Sequence, residues 1–390
     1  MQNACQNNWD GSRSTPPQPL EIEVSLFGPG YGECVVVHTG HGQWVVVDSC
    51  LDAQSKEPSA FIYLSKLGVE LENQVKLIVA THWHDDHVRG LAAVVKSCLG
   101  AKFAFSSALC SREFLDLIGA MQMRPMMDTT GIKEFTEILS VLAQRGKNEM
   151  HGDPKIFAIA DRLLWKRDSS TPGNDPECEI IALSPSDKAH ARALESLRGL
   201  FPSENTTKKR IAQPSPNHNS VVLWIKIGGE RILLGSDLQN DSDATGGWGV
   251  IVASKTRPPG KASAFKIPHH GSQNAHHPAV WNDMLEVNPR SILTPFVQGN
   301  VSLPAKEDIQ RISALTRCAY ITVPVEQSRK PMKPSGAVNK TINETVRFIR
   351  PVPFSTGQIR LRKALNSAVS SEWRVELFPP ACQLKVPAVG

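Results

Sequence analysis

The sequence predicts an α/β fold, strands covered by helices, with a helical stretch inserted in its middle. Three observations carry that reading. Strand-length apolar or alternating runs recur on both sides of the middle third, they open in β-β-β-α-β order, and they resume afterwards around a diglycine turn. The chain has 390 residues, 41% hydrophobic and 21% charged. This is ordinary globular usage, which excludes collagen-like, disordered and coiled-coil classes. The length suits one large domain over 21–390 behind a flexible tail over 1–20.

Residues 21–27 alternate polar and apolar and then break at Gly28-Pro29-Gly30, so a strand enters a glycine turn. Residues 34–38 and 44–48 form a hairpin around Thr39-Gly40-His41-Gly42. Helical spacing marks 58–67, and the apolar run 75–80 suits a strand buried on both faces. From about 111 to 213 the pattern turns helical, over 132–144, 156–165 and 188–200, with one strand at 179–183. This region reads as an insertion and a candidate docking surface for a protein partner. Strands at 220–227 and 231–235 flank Gly228-Gly229. A strand at 265–267, a helix at 305–316 and a strand at 319–323 follow. A basic loop at 326–343 and a closing, strand-rich segment at about 344–390, with a hairpin over 357–377, complete the chain.

No apolar run approaches the roughly 18 residues of a membrane-spanning helix. The opening 19 residues lack the basic start and apolar stretch of a secretion signal. Eight scattered cysteines without a C-x-x-C pair read as free thiols. The expected location is therefore the cytoplasm. A net charge of +5 permits an anionic substrate without marking a DNA-coating protein.

The chemistry is concentrated after the strand 75–80, in Thr81-His82-Trp83-His84-Asp85-Asp86-His87. So many imidazoles and carboxylates at a strand end are a set of borderline metal ligands, best matched by zinc. His82 and His84, two apart on extended backbone, project the same way and can pinch one ion. Asp86 and His87, beyond the turn, can reach a second. His38, His41, His151 and His190 read as ordinary loop or surface histidines.

This H-x-H-x-D-H string resembles the metallo-β-lactamase superfamily, and the resemblance implies an αββα four-layer sandwich. Val45-Val46-Val47-Asp48 looks like the family's first motif, which implies that Asp48 orients the metal loop without ligating. Leu233-Leu234-Gly235-Ser236-Asp237 is similar to the strand ending in the bridging aspartate, a role open to an ionised carboxylate with free lone pairs. Ile267-Pro268-His269-His270-Gly271-Ser272 looks like the late histidine motif. Strand-end position favours His269 as the ligand, with His270 as a neighbour able to donate to substrate or to ligate instead. His218 lies where the superfamily commonly places the third ligand of the first metal. The Pro-His-His-Gly-Ser form, Asn217-His218-Asn219-Ser220 and Leu-Gly-Ser-Asp are similar to the lactamase-like domain of DNA-internalisation competence proteins and its soluble relatives, over roughly 21–325. In Gly28-Pro29-Gly30-Tyr31-Gly32-Glu33 the glutamate replaces the family's usual aspartate. The family's membrane channel is absent, so a channel role is not expected.

Two divalent ions, zinc or alternatively manganese, imply a hydrolase that uses metal-bound hydroxide, with Asp86, Asp237 and His270 at the reacting centre. Phosphodiester hydrolysis of nucleic acid is the first expectation. Lys208-Lys209-Arg210, the basic residues of 255–266 and those at 329–333 could form a backbone-tracking rim. Trp83 and Trp248 are candidates to stack on a base, and Ser272 to touch substrate. The alternatives are a hydrolase of a small substrate (cyclic nucleotide, lactone, thioester or β-lactam) and a metal-containing subunit with a regulatory role.

Overall fold

The computed structural model describes residues 13–107, 130–146, 153–167, 176–198, 216–243, 245–328, 341, 344–345, 355–365 and 372–385. The strands are β1 (Glu21–Gly28), β2 (Cys34–His38), β3 (Trp44–Val47), β4 (Val75–Ala80), β5 (Lys102–Ser106), β6 (Lys155–Ala158), β7 (Arg162–Arg167), β8 (Cys178–Ala182) and β9 (Leu223–Ile227). They continue as β10 (Glu230–Leu234), β11 (Ala262–Lys266), β12 (Leu285–Leu293), β13 (Phe296–Gln298), β14 (Val301–Leu303), β15 (Ala319–Ile321), β16 (Gly357–Ala364), β17 (Arg374–Phe378) and β18 (Cys382–Gln383).

Among the described residues they build two eight-stranded sheets, ordered β17-β16-β1-β2-β3-β4-β5-β6 and β18-β15-β12-β11-β10-β9-β8-β7, plus the small hairpin β13-β14. Strand periodicity explains the layering, because successive side chains leave opposite faces. Val45 and Val47 join Ile22, Val24 and Leu77 against Leu223, Ile225 and Ile232 of the other sheet. Trp44 and Val46 point outward instead, onto a helical layer carrying Tyr63, Leu91, Val95, Phe135 and Ile138. The second sheet is covered likewise, with Trp224, Leu233 and Phe265 packing on Trp248, Ile251, Met284 and Ile312. Helix, sheet, sheet, helix is the four-layer order expected from the sequence. The continuous Val-rich runs are strands buried on both faces.

The middle of the chain differs from expectation. Residues 156–165 are not a helix: they supply β6 and β7, which extend the two sheets, β6 parallel to β5 and β7 antiparallel to β8. A short apolar run that packs on a sheet cannot be told from a buried helix by spacing alone. The helices Thr130–Gly146 and Asp187–Arg198 agree with the sequence reading. The latter part of the supposed insertion thus belongs to the sandwich core.

The same end of both sheets collects the chemistry. Chain direction brings β3, β4, β10, β11 and β12 to their C-terminal ends there, since β3 pairs parallel with β4, and β11 with both β10 and β12. Strained backbone gathers at the same rim. Among the described non-glycine residues with positive φ are Asp48 (59°), Ser236 (46°), His269 (46°) and His270 (53°), a conformation held only where the surroundings over-determine it.

Candidate metal centre

His87 stands on the short helix Asp85–Val88, which opens directly after the β4 loop. Its Nδ1–H donates to Asp48 Oδ2 at 2.7 Å. Asp48 is fixed in turn, because its carboxylate accepts the Thr81 backbone N–H at 2.8 Å and hydroxyl at 2.7 Å. This bond sets the tautomer and leaves the His87 Nε2 lone pair free to face forward. His270 repeats the device: its Nδ1 lies 3.2 Å from the Thr294 carbonyl and 3.1 Å from its hydroxyl.

The two Nε2 atoms then face the same pair of carboxylates. His87 Nε2 lies 3.7 Å from Asp86 Oδ2 and 3.4 Å from Asp237 Oδ2. His270 Nε2 lies 3.4 Å from each of those oxygens. Neither nitrogen has a hydrogen-bond partner although both are buried. Ligand atoms about 2.0–2.1 Å from a tetrahedral zinc stand about 3.3 Å apart, so these edges fit one ion. Beside them, His82 Nε2 and His84 Nδ1 are 3.2 Å apart, the same edge length. His218, on the 3-10 turn Pro216–Asn219, has a buried Nδ1 with no partner, and Val221 in the following residues donates to the Thr81 carbonyl at 3.0 Å, which lays this segment along the His82 loop.

The late histidine preference is reversed. His269 is held by Asn274 Oδ1 at 2.8 Å and by the Gln239 amide, while His270, 1% exposed, enters the cluster. Both have left-handed backbone, which turns the second histidine inward, an outcome that strand-end position does not encode.

Two residues that the sequence did not place at the centre stand beside it. Glu33, 2% exposed, lies within 4.8 Å of donor atoms on His87, Asp237 and His270. Its oxygens are engaged elsewhere, Oε1 with Lys266 Nζ at 2.6 Å and Oε2 with the Thr294 hydroxyl at 2.8 Å, so it backs the imidazoles from their Nδ1 side. Lys266, counted above with the basic rim, is 1% exposed; its ammonium donates to the Ser236 carbonyl at 2.9 Å and lies 3.5 Å from Asp237 Oδ1. Gly32 admits this packing, since at φ +116° a Cβ there would meet Cys50 Cβ at 2.8 Å. The unusual glutamate of the glycine turn was the one available signal.

The electrostatics follow. Burial works against charge on His87, yet Asp237, Glu33, Asp86 and Asp48 outweigh it and hold its pKa well above the ordinary range. Against the same burial, Asp237 with Asp86 and Glu33 pushes His270 up to about 9. Burial would raise Asp237, but His270, His87 and Lys266 bring it well below the carboxylate range. His82 goes the other way: burial, then His87 and His84, hold it far down and neutral. Buried carboxylates that draw protons onto neighbouring imidazoles form the field that a divalent cation would occupy in place of those protons.

Trp83 is half-buried against the helical layer. Trp248 is fully buried and donates to the Leu238 carbonyl at 2.8 Å, so it is a core residue and cannot stack on a base. Ser272 lines a cavity of about 10 Å³ with Trp248, Phe265 and Trp281, room for about one water. Lys208, Lys209, Arg210 and the basic residues at 329–333 lie outside the described residues. His38, read as a loop histidine, is buried at 1% exposure. Among the described residues, no helix is long and apolar enough to cross a membrane.

Comparison with known proteins gives a match to the family model of the metallo-beta-lactamase superfamily over residues 27–107. No curated protein matches the chain in sequence. Similar solved structures include the metallo-beta-lactamase fold protein YhfI from Bacillus subtilis, at 11% identity and TM-score 0.36, covering 78% of this chain and 96% of that one. A metallo-beta-lactamase from Cronobacter sakazakii is similar at 13% identity and TM-score 0.31, covering 64% and 79%. Zinc-bound PqqB from Methylobacterium extorquens is similar at 11% and 0.28, covering 67% and 61%. The match to the metallo-beta-lactamase superfamily model falls on the segment that carries Asp48, His82, His84, Asp86 and His87, and the four-layer sandwich agrees with that family's fold.

Proposed function

We propose that the protein is a dinuclear metal-dependent hydrolase and that its substrate is a phosphodiester, with nucleic acid as the first choice. The observation that carries the reading is the pair of orphaned Nε2 atoms, on His87 and His270, each 3.4–3.7 Å from Asp86 Oδ2 and Asp237 Oδ2. Asp86, His87, His270 and Asp237 would hold one cation, and His82, His84, His218 and Asp237 the other. Charge supports two ions. Four buried carboxylates, on Glu33, Asp48, Asp86 and Asp237, face one buried ammonium, on Lys266, a surplus larger than one divalent ion offsets.

Bound divalent cations would supply Lewis acidity, making water nucleophilic at neutral pH and offsetting charge on the reacting group. The chain's own residues do the arranging. Asp48 and Thr294 orient His87 and His270, and Lys266 holds Asp237 from behind. The buried walls keep bulk water from competing with these dipoles. A phosphodiester suits a pair of cations because charge develops on both the entering and the leaving oxygen.

The test is a substrate panel with zinc- or manganese-loaded protein: single-stranded DNA, RNA, bis(p-nitrophenyl) phosphate, a lactone and a β-lactam. Phosphodiesters should be turned over, nucleic acid with a steep fall as salt is added. Asp86→Ala with His87→Ala should bring turnover to background and reduce bound metal. Hydrolysis of the lactone or lactam alone would move the assignment to the small-substrate reading, and turnover surviving the double change would remove the metal mechanism.

A further inference from the structure

Beside the candidate centre, three half-buried side chains outside the candidate ligand set form a continuous wall. Phe296, at the start of β13, packs on the buried His270 ring with centroids 5.2 Å apart. Tyr31, from the glycine turn, packs on Phe296 at 5.5 Å. The Arg89 guanidinium lies over the Tyr31 ring, 5.0 Å from its centroid. The turn and the β13-β14 hairpin are joined by the Val297 N–H donating to the Gly30 carbonyl at 3.3 Å, and Arg89 directly follows the short helix that carries Asp86 and His87. The wall therefore runs from a centre imidazole outward to a cation without a gap.

Its chemistry is specific. Arg89 keeps 41% of its side chain exposed, and its contact with Asp85, at 3.7 Å and partly in solvent, is too long for a hydrogen bond and weakly held. A guanidinium held over the Tyr31 ring can offer a planar face to a base and a fork of N–H donors to an anion. Burial, followed by Asp86 and Asp85, pushes the Tyr31 hydroxyl up to about 12, so the phenol stays neutral. A planar ring beside an anion is the composition of a nucleotide.

We propose that Arg89, Tyr31 and Phe296 form a subsite for the nucleotide next to the scissile bond, in which the base stacks on the Arg89–Tyr31 platform and Arg89 takes the flanking phosphate. This rests on the phosphodiester reading and names the part of the substrate that is recognised. It is tested by binding rather than turnover: anisotropy titration, in chelator, of a labelled thymidine tetranucleotide and of an abasic tetranucleotide of the same charge. The native chain should prefer the base-bearing strand by about tenfold, within the range of base stacking. Tyr31→Leu should abolish that preference and leave abasic binding in place, Arg89→Ala should weaken the abasic strand by about tenfold and the base-bearing strand by more, and Arg89→Lys should recover the abasic strand better than the base-bearing one. Equal binding of the two strands by the native chain, or a preference untouched by both Tyr31→Leu and Arg89→Ala, overturns the subsite. Bis(p-nitrophenyl) phosphate separates the two readings: continued turnover alongside failed base preference removes the subsite only, and base preference without any phosphodiester turnover keeps a nucleotide site while removing the hydrolase.

Discussion

Lys266 is a buried cation facing the buried carboxylates of the candidate centre. At 1% exposure it holds Glu33 at 2.6 Å and stands 3.5 Å from Asp237. Burial opposes its charge, yet Glu33 and Asp237 raise its pKa above the ordinary lysine value. Removing one partner of such a pair leaves an uncompensated buried charge, which costs about 3–5 kcal/mol. Lys266→Met is therefore expected to lower unfolding free energy by about that amount in urea. Adding Glu33→Gln should restore part of the loss, because the two residues are coupled; a strictly additive double variant would contradict the pairing. At this scale the sequence was uneven. Asp86, His87 and Asp237 were legible as donors at strand ends, whereas Lys266 looked like one more basic residue in a rim. Its burial depends on β11 lying between β10 and β12, which no local pattern around Lys266 expresses.

The β2–β3 hairpin shows how one element holds a titratable group. His38 Nδ1–H donates to the Glu21 carbonyl at 2.7 Å, and its Nε2 accepts the Gly42 N–H at 3.0 Å. Burial first, with Arg167 and Arg362 adding to it, lowers its pKa to about 4. A second proton would have to replace the lone pair that Gly42 uses. The unfolded chain takes up this proton as pH falls below about 6.5, and the fold resists until about 4. Stability is thus full above 6.5 and declines by about 3 kcal/mol across that window. His38→Gln should make the slope of unfolding free energy against pH shallower by one proton between pH 4 and 6.5, and an unchanged slope would rule out His38 as its source. Spacing and turn residues located this hairpin, β4 and β16–β17. They misjudged β6 and β7, where a short apolar run looks alike in helix and strand until a neighbouring strand is there to pair with it.

Across the whole molecule, two sheets deliver candidate ligands from positions as far apart as His82 and His270 to one rim. On the proposed reading, cations would replace the protons that these carboxylates draw onto His87 and His270, so that binding them adds to stability. Stripping metal with a chelator should lower Tm, and zinc at a hundredfold above its dissociation constant should restore about 2.7 kcal/mol. That corresponds to about 3 °C for a chain of this size. A melting point indifferent to chelator and to added zinc would show that the cluster holds no ion.

Whereas the αββα order came from the resemblance of the motifs, that strands are covered on both faces was legible in the chain alone, because period-two burial and Val-rich runs are local consequences of such strands. So was the kind of chemistry, because imidazoles and carboxylates crowded after β4 have few other uses. Which of His269 and His270 turns inward, that Glu33 and Lys266 stand behind the imidazoles, and that Trp248 is core rather than cleft were settled only when distant strands packed. Backbone sign at a single residue, burial of a charge and the distance between two donors are properties of the assembled sandwich. They arise from contacts between segments up to a few hundred residues apart, which no stretch of sequence contains by itself.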